Sequence, residues 1–253
     1  MTHTILVTGG TGTLGRAVVD TALAAGHQVR LLSRRRANST ELPYTWLTGD
    51  LRSGEGVAAA VTGADVIIHC ATTNGRGDVQ AGQTLLDAAQ RAGTGHLIFI
   101  SIVGVDAVPL GYYRAKLEVE RRIADSDVPW TVLRATQFHN LVTRLFTVQR
   151  RLPILLIPRG ISIQPIDVRD VAEHLVQLAG ARPAARVPDI GGPQVRTATD
   201  LAQTYLHASR RRRHILSMPV AGIAARAYRA GVHLTPQHAV GTITYEKFLE
   251  DTP

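Results

Sequence analysis

The chain has 253 residues, a formal net charge of +8, 45% hydrophobic residues and a mean hydropathy of +0.04, a composition that suits a folded globular protein and excludes an extensively disordered one. No run of roughly 18 or more apolar residues occurs, so neither a spanning helix nor a membrane partner is expected. Cys70 is the single cysteine and the ten histidines form no HExxH-type pattern, which excludes an internal disulfide and a thiolate-rich metal site and leaves no metal expected.

The opening MTHTILVTGG enters an apolar run at once, without the basic, apolar and small-residue succession of a leader, so a cytoplasmic protein is expected. The positive charge comes almost wholly from arginine, since Lys116 and Lys247 are the only lysines. A guanidinium is a planar fork suited to phosphates, but a basic balance alone does not establish nucleic-acid binding.

In chain order, TILVTG predicts a strand, LGRAVVDTALAAG a helix, HQVRLLS and YTWLTGD two strands, and GEGVAAAVTG a short helix. ADVIIHCAT, HLIFISI and PWTVLRA predict further strands, separated by the helices DVQAGQTLLDAAQRAG and YYRAKLEVERRIADS. The strand runs are continuous in Val, Ile, Leu and Thr, as in strands covered on both faces, and Gly26, Gly63 and Gly93 stand where helices should end. This alternation predicts an α/β fold, a doubly wound parallel sheet with helices on both faces.

Farther on, RLPILLIPRG is expected to be a loop or short strand lining a cavity. ISIQPIDVRDVAEHLVQLAG reads as a strand and a helix starting at Asp167 or Asp170. VPDIGGPQVRTATDLAQTYLHA reads as a strand, a turn and a helix capped by Thr199 or Asp200, while residues 137–160 and 215–240 show little periodicity. The expected organisation is one domain over residues 1–253, with a nucleotide-binding core near 1–140 and a small C-terminal substrate lobe mainly over 141–253.

LVTGGTGTLGRAVV, residues 6–19, places its glycines between a strand and a helix, as Gly9-x-x-Gly12-x-x-Gly15 or Gly10-x-Gly12-x-x-Gly15. Either frame supplies a tight turn, a backbone open to a pyrophosphate and a close helix–strand contact at the helix N-terminus. At the end of the second strand, where an NAD site places a carboxylate, the sequence has Ser33-Arg34-Arg35-Arg36. Arg34 is the residue expected to pair with a 2′-phosphate, so the cofactor expected is NADP(H).

The set TGGTGTLG, LLSR, GDL, SIVGVD, YYRAK, VPWTVLRATQFHN, IDVRDVAEHL, DIGGPQVRTATDLA and GTITYEKFL resembles the NmrA-like branch of the atypical short-chain dehydrogenase/reductase superfamily over essentially the whole chain. The resemblance implies a Rossmann domain with a small C-terminal substrate lobe, and a family holding both NADPH-dependent reductases and proteins that bind the dinucleotide without turning it over. It places Thr11, Thr13 and Leu14 along the cofactor with the glycines. Asp50 and Leu51 of GDL resemble the segment near the adenine, and Cys70, Ala71 and Thr72 the segment passing the adenosine ribose and the nicotinamide side.

Ser101 ends the fifth strand, and Tyr112 and Lys116 have YxxxK spacing. On a helix, Lys116 lies one turn beyond Tyr112 on the same face, where it is expected to depress the phenol's pKa and hold the nicotinamide ribose. Tyr112 would then donate a proton to a carbonyl oxygen to which Ser101 hydrogen-bonds, an arrangement that resembles the short-chain dehydrogenase triad. The helix DVQAGQTLLDAAQ has no asparagine to match that family's fourth catalytic residue, and Tyr113 neighbours Tyr112. Gln137, Phe138 and His139 follow the sixth strand at the sheet's carboxyl edge and are expected to line the substrate side. SRRRRH, residues 209–214, lacks interleaved aromatics and any DNA-reading motif, so nucleic acid is not an expected partner and the run reads as a solvated face or a partner contact. The sequence favours an NADPH-dependent reductase of a small carbonyl, enone or imine; the alternative is a non-catalytic NADP(H) sensor acting through a protein partner.

Overall fold

The structure is a computed structural model that describes residues 2–37, 39, 41–73 and 75–252. In chain order the Rossmann half comprises β1 (Thr4–Thr8), α1 (Thr13–Ala24), β2 (Gln28–Ser33), β3 (Thr45–Thr48), α2 (Val57–Val61), β4 (Val66–His69), α3 (Gly77–Ala92), β5 (His96–Ile102), α4 (Gly111–Ala124) and β6 (Trp130–Ala135). The rest comprises α5 (His139–Thr147), β7 (Ile154–Pro158), β8 (Ser162–Ile163), α6 (Val168–Ala179), β9 (Ala185–Arg186), β10 (Arg196–Thr197), α7 (Ala198–Ala208), β11 (His214–Met218), α8 (Ile223–Arg229), a 3₁₀ turn at Pro236–His238 and α9 (Tyr245–Asp251).

The main sheet has seven strands in the order β3-β2-β1-β4-β5-β6-β9. The order reverses between β1 and β4, whose registered pairing runs parallel from Ile5–Val66 to Thr8–His69, and it is outside the carboxyl ends of such strands that open α/β sheets bind ligands. Continuous apolar strands form here because helices cover both faces: Ile5, Leu6, Val7, Ile67 and Ile68 are fully buried. Gly26, Gly63 and Gly93 all take positive φ where α1, α2 and α3 end.

The chain divides into two compact units. One comprises residues 1–101, 111–133 and 171–187; its largest apolar cluster draws on Leu6, Ile67, Leu85, Phe99 and Ile123. The other comprises residues 102–110, 134–170 and 188–253, with Phe146, Leu155, Leu201, Tyr245 and Phe248 at its centre. Thus the chain returns to the first unit through α6 and β9, rather than leaving it for good after β6.

In the second unit RLPILLIPRG forms β7, which pairs parallel with β11, and β8 pairs antiparallel with β10. The β11 pairing fell outside the sequence pattern because its partner lies far back in the chain. Asp167 accepts the Arg169 amide at 2.8 Å where α6 starts, whereas Asp170 tethers a distant loop by accepting the Thr242 and Ile243 amides at 3.0 and 3.2 Å. The cap of α7 is Thr197, not Thr199 or Asp200. Thr197 is extended, at φ −70° and ψ 153°, and its side chain accepts from the Asp200 amide, as an N-cap hydroxyl does from the third helical residue.

At the end of β4, His69 is buried, its Nδ1 lies 2.7 Å from the Thr8 hydroxyl, and its ring stacks on Phe99 with centroids 5.4 Å apart. Burial, helped by the positive charge of Lys116, pushes the imidazole pKa down to about 3. The unfolded chain takes up this proton near pH 6.5 and the folded protein only near pH 3. His69 therefore contributes stability that is fully present above pH 6.5 and is lost as pH falls through that window, by at most about 1.4 kcal/mol per pH unit. Urea titrations across this range are expected to give a shallower pH slope for His69→Gln than for the parent. Equal slopes would remove His69 from the acid sensitivity.

Candidate functional site

The loop between β1 and α1 is shaped by what its backbone touches. Gly9 has φ +71°, and a Cβ there would lie 2.6 Å from the Ala71 nitrogen and 2.9 Å from the Cys70 carbonyl carbon. A Cβ on Gly15 would meet the Gly9 oxygen at 2.1 Å. Gly9 thus lets the loops after β1 and β4 approach, and Gly15 lets the helix start against the turn. Gly12 differs: its Cβ would meet only the Gly9 oxygen, at 3.1 Å, and the residue is exposed. A side chain there would project into the space outside the loop, so this glycine keeps that space open.

Gly12 is the N-cap of α1, with no side-chain cap and no acidic residue in the first turn. The amides of Thr13, Leu14 and Gly15 have no acceptor within the helix and lie at the positive end of its dipole. Thr11 is half-buried, Thr13 exposed and Leu14 buried. The cradle fits a pyrophosphate: it offers unclaimed donors and an unfilled backbone hollow, with no competing carboxylate.

At the end of β2, Ser33 is buried and its hydroxyl accepts the Arg35 amide at 3.2 Å. The Arg35 carbonyl accepts from the Trp46 indole at 2.8 Å, which fixes the backbone while Arg34, Arg35 and Arg36 extend their side chains outward. Asp50 is half-buried and organises its own turn, accepting the Arg52 amide at 2.8 Å. Leu51 belongs to the apolar cluster of the first unit.

The loop after β4 is held by Asp78, a buried carboxylate in the first turn of α3. Asp78 accepts from the Thr72 hydroxyl at 2.6 Å and the Thr73 hydroxyl at 2.7 Å, and from the Thr73 amide. Burial pushes the Cys70 thiol up to about 12, so at neutral pH it is a thiol and not a nucleophile. Ala71 is half-buried against Gly9.

Along α4, Tyr113 and Lys116 are buried and Tyr112 is half-buried. The Lys116 ammonium donates to the Ile100 carbonyl at 3.2 Å and sits 4.5 Å from the centroid of the Phe99 ring. Burial lowers its pKa, while Asp78, Cys70 and Glu120 oppose that shift. Tyr112 departs from expectation: its pKa is raised, not depressed, because burial dominates and a hydrogen bond with Thr72 only partly offsets it. Among the described residues no hydrogen bond joins Ser101, Tyr112 and Lys116 to one another; Asp78 is the charge that both Tyr112 and Lys116 feel. Ser101 is 3% exposed and its hydroxyl has no hydrogen-bond partner among the described residues, a condition that costs about 1–3 kcal/mol.

Gln137, Phe138 and His139 lie in the second unit. The Gln137 carbonyl accepts the Ile166 amide and the His139 amide donates to the Ile166 carbonyl, both at 3.0 Å, and Gln137 and Phe138 are half-buried. His139 does not line an open surface. It is 1% exposed, its Nε2 lies 2.9 Å from the Ile243 carbonyl, and its ring packs on Tyr245 and Phe248 at 5.5 and 5.2 Å. It is a core histidine, and burial lowers its pKa. His69 and Asp78 were not anticipated; the one available signal was an acidic residue at the start of the helix after ATTNGRG.

A family described as NAD(P)H-binding matches residues 9–181. An uncharacterized protein of Mycobacterium bovis is 28% identical over 230 residues, 80% of this chain and 26% of that protein, so the chain spans about a quarter of this relative's length. The chloroplastic divinyl chlorophyllide a 8-vinyl-reductase of Oryza sativa subsp. indica is 29% identical over 221 residues, 75% of this chain and 54% of that one. The NADPH complex of the Escherichia coli NADPH-dependent quinone oxidoreductase QOR2 superposes with a TM-score of 0.85 at 17% identity, covering 98% of this chain and 99% of that one. With its glycine cradle, strand order and matched segment, the chain belongs to the NAD(P)H-binding family, in its NmrA-like, Rossmann-type branch.

Proposed function

We propose that the protein is an NADPH-dependent oxidoreductase acting on a small carbonyl, enone or imine. The observation that carries this reading is the buried, unpartnered Ser101 hydroxyl at the carboxyl end of β5, one residue from the carbonyl that holds the Lys116 ammonium. The names of the quinone oxidoreductase and the vinyl reductase support the class without identifying a substrate.

When bound, NADPH supplies a hydride. The α1 N-terminus would hold its pyrophosphate, and Arg34 its 2′-phosphate. Ser101 would donate to the substrate oxygen, orienting it and stabilising the charge that develops there. Tyr112, a phenol that burial makes a weaker acid than a free one, would transfer its proton to that oxygen. The Lys116 ammonium, buried beside Asp78, would hold the ribose and the local positive field. A second reading, a sensor that binds NADP(H) without turnover, is favoured by the lack of a direct Tyr112–Lys116 hydrogen bond among the described residues.

Three measurements test these roles. Arg34→Ala is expected to weaken NADPH by about 1.5–3 kcal/mol, the worth of a charge-assisted bond, while leaving NADH nearly unchanged; equal losses for both dinucleotides would remove Arg34 from the phosphate. In a screen of quinones, enones and imines followed by NADPH absorbance, Tyr112→Phe is expected to retain NADPH binding and lose turnover by about 10²–10⁴-fold. Full turnover in that variant would rule out Tyr112 as the donor, and failure of the parent to oxidise NADPH with any acceptor would favour the sensor. Asp78→Asn removes the charge that raises the Lys116 pKa, so the alkaline limb of NADPH binding should move to lower pH. An unmoved limb would separate Asp78 from Lys116.

A further inference from the structure

The second unit carries an apolar face that its own core leaves uncovered. The side chain of Gln149, just past α5, ties that helix to β7: its amide donates to the Leu145 and Leu156 carbonyls at 3.0 and 3.1 Å and accepts the Leu156 amide at 2.9 Å. Leu156 and Leu216 are register partners on β7 and β11, and Pro158 and Met218 are the next pair on that face. Leu155 and Ile157, on the opposite face, are buried. Leu145, Val148, Leu152, Leu156, Leu216 and Met218 are exposed, from 38% at Leu156 to 70% at Val148. Val220, before α8, and Ile223, its first residue, are also exposed, at 43% and 64%. Single exposed leucines are ordinary; a run stitched together across three elements is not.

The segments that carry these side chains are basic. Residues 128–166 and 201–245 contain no aspartate or glutamate. Apart from Arg134, which pairs with Asp106, those stretches carry Arg144, Arg150, Arg151 and Arg159, then the Arg210–Arg213 run, Arg226 and Arg229. None of these is in an ion pair among the described residues. Several are fixed to the backbone of the same elements: Arg213 donates to the Gln149 and Ile154 carbonyls at 2.8 and 2.6 Å, Arg159 to Ser217 at 3.3 Å, and Arg229 to Val220. An open depression of about 680 Å³, lined by Thr199, Gln203, Arg211, Arg212 and Arg213 among others, adds hydroxyl, amide and guanidinium donors.

We propose that this face seats on an anionic phospholipid bilayer, its leucines in the interfacial region and its arginines on the headgroup phosphates. The absence of a spanning run does not bear on this, because a peripheral surface needs none. A second copy of the chain fits poorly, since two such faces would oppose arginines to arginines with no carboxylate between them. Nucleic acid would satisfy the arginines and leave the leucines unused. The proposal is independent of the hydride-transfer reading and of NADPH.

The test is flotation of the purified chain with phosphatidylcholine vesicles, with and without phosphatidylglycerol, at rising salt. Binding is expected only with phosphatidylglycerol, falling as salt rises. Arg151→Ala and Arg212→Ala should each weaken it about fivefold, the weight of one basic residue near an anionic surface, and Leu145→Ser about tenfold through lost apolar burial. Unchanged melting temperature and NADPH affinity would show that each variant is folded. No flotation with phosphatidylglycerol would overturn the proposal. So would binding indifferent to Leu145→Ser, which would mark a purely polyanionic partner, or a dimer in sedimentation velocity that Leu145→Ser dissociates, which would show that a second copy covers the face.

Discussion

At the reversal point of the sheet, the loops after β1 and β4 meet through backbone alone, since any side chain on Gly9 would overlap Ala71. That contact sets the position of everything at the carboxyl edge of the first unit. On one side it turns the chain so that Gly15 can start α1 against Gly9 and leave the helix amides pointing outward. On the other it brings the Cys70–Thr73 segment alongside, where Asp78 gathers two threonine hydroxyls and an amide. The phosphate cradle and the threonines beside Tyr112 are therefore consequences of one steric allowance, and a Cβ at Gly9 would disturb both.

The electrostatics of this unit follow from burial around a single ammonium. Lys116 is out of water, and it is held by a carbonyl, an aromatic face and the charge of Asp78 rather than by a salt bridge. A buried cation of this kind shifts its neighbours more strongly than a surface one would. His69 is neutral chiefly through its own burial, with Lys116 adding to the shift, which suits its place between Thr8 and Phe99. Tyr112 lies beyond direct hydrogen bonding to the ammonium, so burial controls its phenol.

The cradle was legible in the sequence because its demands are local: each glycine answers to a contact within a few residues or to the strand directly beneath. The β–α rhythm was legible for a similar reason, since a strand covered on both faces must be apolar throughout. The cap of α7 lies two or three residues before the expected Thr199 or Asp200 because all three residue types suit a cap, and only the extended backbone at Thr197 selects among them. His69 and Asp78 escaped because their meaning comes from partners brought in by the fold, Thr8 and Phe99 for one and Lys116 for the other. The burial of His139 is not legible in the sequence because the aromatic rings that enclose it come from the far C-terminus. The two-residue strands β8 and β10 are too short for any periodicity to announce them.

The basic excess of the chain divides by context. Arg34 stands at a strand end in a unit that also carries carboxylates, so its charge can act as a single recognition element for one phosphate. The arginines around β7 and β11 instead lie in two long stretches without any carboxylate, where no one guanidinium is special and the field adds up. A distributed surface field of that kind weakens as salt rises and falls away within a Debye length of about 8–10 Å at physiological strength. Arginine is the side chain common to both, because a weakly hydrated planar fork can bind a phosphate singly or in a row.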